Sequence, residues 1–159
     1  MLQRIQSVFL FLVGVAMVLT LILPLWTLPV IPGVEGSYEL TAFTMDRYSV
    51  DGEITETTVK WYIGAIAAIV MTLAFVSIFQ YKNRGKQMMI NMINSLLMVG
   101  LVAAIFITTN GMVTALGVQE SGSYGVGFWA ILGAMVMNML ANRFIRKDEA
   151  LVRSVDRIR

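Results

Sequence analysis

Four long apolar runs with no Lys, Arg, Asp or Glu in their interiors limit what this chain can fold into. They lie at about 5–28, 61–81, 88–109 and 125–144. Roughly 20 residues of helix cross a ~30 Å hydrocarbon layer, so each run is long enough to be a membrane span. The buried helices of a water-soluble domain rarely give four such runs. Composition agrees. Apolar residues make up 57% of the 159 and charged residues 14%, against roughly 45–50% and 25% in soluble domains. The length allows one compact unit. The first run follows Arg4 as a signal peptide's apolar region would, but it is too long and no small-x-small site follows, so it is read as an uncleaved span.

Charge placement gives an orientation. All of the 12 basic residues except Arg47 and Lys60 lie before span one, between spans two and three, or at and beyond the end of span four. The positive-inside rule then puts both termini and the 82–87 loop in the cytoplasm. All of the 10 acidic residues except Asp148, Glu149 and Asp156 lie in the two opposite loops. Trp26, Trp61 and Trp129 fall at the predicted outer ends, as expected of an interfacial aromatic belt.

The predicted fold is therefore an all-α membrane protein: a four-transmembrane-helix bundle with a small extracytoplasmic antiparallel β element and a cytoplasmic C-terminal helix extension. The β element is expected in the 30–60 loop as two or three strands between about 36 and 59. SYELTAFTM alternates, and Asp51-Gly52 between two β-prone runs predicts a hairpin with a type I′ turn. The 110–124 loop is glycine-rich and is expected to form turns. Residues 145–159, IRKDEALVRSVDRIR, predict an amphipathic helix continuing span four.

Within the spans, small residues recur at four-residue spacing in Gly64/Ala68, Gly100/Ala104 and Ala130/Ala134, and such ridges let helices approach closely. Methionines such as Met92, Met98, Met135 and Met139 suit gap-filling. Polar residues collect near the cytoplasmic ends. Gln3 and Gln6 begin span one, and Gln80 ends span two. Asn91, Asn94 and Ser95 lie early on span three, and Asn138 and Asn142 lie late on span four. At 1.5 Å per residue, Asn94 is about 10 Å in from Gln87 and Asn138 about 8 Å in from Arg143. Gln80, Asn91, Asn94, Ser95, Asn138 and Asn142 are thus the candidate inner-leaflet amide network, with Asn94 and Asn138 at matched depth. In the tail, Arg146, Lys147, Leu151, Arg153, Val155, Arg157 and Ile158 are the candidate partner-docking or lipid-facing residues.

The two ends carry a resemblance. MLQRIQSVFL, ANRFIRKDEALVRSVDRIR and the basic loop YKNRGKQ resemble the family of small bacterial membrane proteins called domain of unknown function 4293, across essentially the whole chain. The resemblance implies a multi-pass protein of the cytoplasmic (inner) membrane of Gram-negative bacteria and carries over no catalytic residue.

With no Cys or His, the chain lacks a thiolate nucleophile, the commonest general base and the commonest transition-metal ligand. No catalytic, cofactor-binding or metal residue is assigned, no cofactor is expected, and the chain is read as a non-enzyme. Expected partners are the lipid bilayer, anionic headgroups at the basic inner loop and tail, and a protein partner or a second copy, with no nucleic acid. The leading expectation is an accessory, interaction or scaffold subunit. A transporter or channel component is the alternative, ranked lower because the spans carry no ionisable group of the kind that marks an ion path, and a membrane enzyme comes third, because nothing pairs Asp148, Glu149 or the outer-loop carboxylates with a nucleophile or metal cluster.

Overall fold

The computed structural model describes residues 2–81 and 83–156, and side chains for 5–81 and 83–150. In chain order the elements are α1 (Leu2–Ile22), β1 (Trp26–Leu28), β2 (Ser37–Leu40), β3 (Thr44–Tyr48), β4 (Ile54–Val59), α2 (Trp61–Phe79), α3 (Arg84–Leu116), β5 (Ser123–Tyr124) and α4 (Val126–Asp156). All four helices are long and apolar enough to cross a membrane. α1 packs on α2 and α4, and α3 packs on the same two, closing a ring.

On each helix a set of buried residues recurs in steps of three and four. They are Gln6, Leu10, Val13, Met17 and Thr20 on α1, and Ile63, Ala67, Val70, Ala74 and Ser77 on α2. On α3 they run Gln87, Asn91, Asn94, Met98, Leu101 and Ile105, and on α4 Ile131, Ala134, Asn138, Ala141 and Ile145. This is a heptad seam, the packing of left-handed bundles. The faces turned away from it are also apolar: Phe11, Leu96, Ile107 and Val136 are exposed. A helix apolar on every side suits a lipid surround rather than water.

The first apolar run is split. Pro24 has no N–H and disfavours helix at the residue before it, so α1 stops at Ile22 and not near 28. The chain turns directly into β1, whose Trp26 pairs with Leu40 on one side and Tyr124 on the other. The result is a five-stranded antiparallel sheet ordered β4-β3-β2-β1-β5. Three strands fall in the expected segment; the other two come from the end of the first apolar run and from the glycine-rich loop. Trp26 is therefore no belt residue. It is 0% exposed, against 66% for Trp61 and 62% for Trp129, and its Nε1 donates to the Ser121 carbonyl at 2.8 Å.

The β3–β4 turn also differs from type I′. Gly52 N–H donates to Ser49 O at 2.9 Å, and Ser49 N–H to Glu53 O at 2.8 Å. Gly52 has φ +84°, but among the described residues no non-glycine has positive φ, Asp51 included. One left-handed glycine at the end of a longer turn replaces the two positive φ values of type I′.

Helix limits shift as well. Asn83 Oδ1 accepts from Lys86 N–H at 3.1 Å and caps α3 at Arg84, so α3 begins inside the expected 82–87 loop. α3 continues past the expected end at 109 to Leu116, where Gly117, φ +67°, closes it. α4 runs on without a break from the fourth apolar run into the tail.

Candidate functional site

The seam is apolar at its middle and polar at the end remote from the sheet. Here each helix places a polar side chain inward: Gln6 from α1, Ser77 from α2, Gln87, Asn91 and Asn94 from α3, and Asn138 from α4, all buried. Asn91 is the hub. Its Oδ1 accepts from Ser77 Oγ at 2.6 Å. Its backbone carbonyl accepts from Asn138 Nδ2 at 2.9 Å and Ser95 Oγ at 3.1 Å. Asn138 Nδ2 also donates to Ser95 Oγ at 2.7 Å. Gln87 Nε2 donates to the Ser77 carbonyl at 2.9 Å. α2, α3 and α4 are thereby joined in one layer.

Of the residues singled out from sequence, the structure brings Asn91, Ser95 and Asn138 together. It does not bond Asn94 to Asn138: both amide atoms of Asn94 are buried without a hydrogen-bond partner, as are both of Gln6. Gln80 does not join the layer among the described residues, where its bonds are backbone ones to Ser77 and Asn83. Ser77 and Gln87 were not singled out. Their signal is the three-and-four spacing from Ala74 and to Asn91, which says nothing until the inward face is known. An unpaired buried amide group costs roughly 1–3 kcal/mol, so Gln6 and Asn94 weaken the bundle, while Asn91, whose own Nδ2 is unpaired, offsets that cost with the bonds its two oxygens accept.

Beyond this layer Arg84 Nη2 lies 2.9 Å from Asp148 Oδ2, with side chains 21% and 14% exposed, tying the start of α3 to α4. Phe9 and Phe144 stack at 5.5 Å and tie α1 to α4. Asn142 is half-buried and lines a groove of about 610 Å³ between α3 and α4 with Ser95, Val99, Met135, Val136, Met139, Arg143 and Arg146. Arg146 and Lys147 are exposed. The side chains of Leu151, Arg153 and Val155, and all of Arg157 and Ile158, lie outside the described residues.

At the other end, Gly64 lets the β2–β3 turn rest on α2. A Cβ there would meet the Phe43 ring and, at 2.9 Å, the Ala42 carbonyl. The small residue serves the sheet rather than a helix contact, and Gly100 has open space around its Cβ position. β4 is the free edge of the sheet, with every residue exposed. Near it Arg47 stands 3.5 Å from Glu35. Tyr48 is held above its ordinary pKa by burial and by the Glu39 and Asp46 carboxylates.

No curated protein matches this chain. The family described as domain of unknown function (DUF4293) matches residues 2–158, nearly the whole length, and the chain belongs to that family.

Proposed function

We propose that this chain is a multi-pass protein of the bacterial cytoplasmic membrane, with the sheet outside and both termini inside, that acts as a non-catalytic accessory or scaffold subunit. The apolar outward faces of the four helices support membrane embedding. The basic residues in the α2–α3 turn and along the end of α4 support the orientation. The middle of the seam, with Val13, Val70, Leu101 and Ala134 all 0% exposed, favours a closed bundle over a conduit.

The observation that carries the reading is β4. It is six residues long, at the sheet edge and exposed from Ile54 to Val59. A free strand edge offers backbone donors and acceptors to a strand from another chain. Ile54 and Val59 add apolar contacts at its two ends, and Glu56 between them disfavours indiscriminate pairing. The test is a photo-crosslinking residue at Thr57 in native membranes, with one at Thr114 as control. The reading expects one adduct of defined mass from Thr57, none from Thr114, and loss of the adduct in Ile54→Lys/Val59→Lys. Absence of an adduct at Thr57, or equal labelling at both positions, would overturn it.

A further inference from the structure

The groove between α3 and α4 carries chemistry that the edge strand does not use. Its walls are apolar, with Val99, Val136 and Met139 among them, and Arg143 and Arg146 stand at one end. The two arginines are three residues apart and share a helix face. Neither takes part in an ion pair among the described residues, where the pairs formed are Arg47–Glu35 and Arg84–Asp148. Glu149 and Arg146 both line an adjoining hollow of about 440 Å³ that shares Ser95 and Asn142 with the groove, while no carboxylate lines the groove itself among the described residues.

The dimensions match one lipid leaflet. From Met135 to Arg146 is roughly 16 Å along the helix, and half of a ~30 Å hydrocarbon layer is about 15 Å. The apolar part of the groove therefore lies at acyl-chain depth and the arginines at headgroup depth. Asn142 lines the groove beside the arginines, and its Oδ1 is buried without a partner.

We infer that this groove binds one anionic phospholipid, its acyl chain along Val99, Val136 and Met139 and its phosphate on Arg143 and Arg146. Arginine suits a phosphate because its planar fork can hold two oxygens at once. The inference rests on the membrane placement proposed above and is independent of the β4 partner.

The test is native mass spectrometry of the full chain released from bilayer nanodiscs of equimolar phosphatidylglycerol and phosphatidylcholine with identical acyl chains. The expected result is one retained lipid with at least about tenfold preference for phosphatidylglycerol. Arg143→Gln/Arg146→Gln should abolish the preference. Val136→Trp should abolish retention while both arginines remain. Arg153→Gln/Arg157→Gln, which removes charge further along the tail sequence, should leave both intact. Retention without headgroup preference, retention that survives Val136→Trp, or preference lost only with the tail arginines would each overturn the inference. The Thr57 crosslink should persist in the Val136→Trp variant, so the two ideas fail separately.

Discussion

At Asn138 one amide nitrogen holds two bonds, to the Asn91 carbonyl and to Ser95 Oγ, while four residues before Met98 the amide of Asn94 holds none. Equal burial therefore does not mean equal worth. Asn138→Leu should destabilise the bundle by about 1 kcal/mol, since hydrogen bonds between membrane helices average about 0.6 kcal/mol each. Asn94→Leu removes only unpaired polar atoms and should be neutral or stabilising. Denaturant titration in mixed micelles, followed by circular dichroism, measures both, and the double variant should show additive effects. A loss at Asn94 as large as that at Asn138, or strong coupling, would contradict this account. Matching by depth along the chain paired Asn94 with Asn138. Depth fixes height in the bundle, but which amides meet depends on rotation about the helix axis, and that is set by packing.

At the scale of elements, the helices were legible and their ends only partly so. The unbroken α4 follows from local signals, with no breaker before the tail, whereas the Asn83 cap that starts α3 at Arg84 was not read from the sequence. The sheet followed in part. β2 to β4 lie where alternation and a turn signal placed them, but β1 was hidden in an apolar run that continues a span. WTL reads equally as helix end or strand, and Trp26 becomes buried because Leu40 and Tyr124 flank it. Gly64 likewise reads as a helix-packing residue until the Phe43 turn is seen on it. Gly64→Val should lift that turn from α2. Hydrogen exchange should quicken by at least about tenfold in β2 and β3 while mid-helix amides of α2 stay protected. Uniformly faster exchange, or no change, would contradict the docking role given to Gly64.

For the whole molecule, polar and apolar layers alternate along the bundle axis, and the grooved, arginine-bearing side lies opposite the sheet. The proposed orientation is open to a direct test because the chain has no native cysteine. Glu120→Cys should react with a membrane-impermeant maleimide in intact cells, and Asn83→Cys should react only after permeabilisation. The reverse pattern would invert the protein and would remove the cytoplasmic-leaflet setting of the Arg143–Arg146 groove. The number of helices able to cross a membrane, the places where charge gathers and the hairpin after the first helix could all be read segment by segment. These depend on transfer free energy and local backbone preference, which each segment carries alone. Which face of each helix turns inward was set by packing between the helices. In spans apolar on every side, no hydrophobic contrast marks the seam, and small differences in packing choose it. That choice made Asn91 a hub, left Gln6 and Asn94 unpaired, and joined Trp26 and Tyr124 across almost a hundred residues into one sheet.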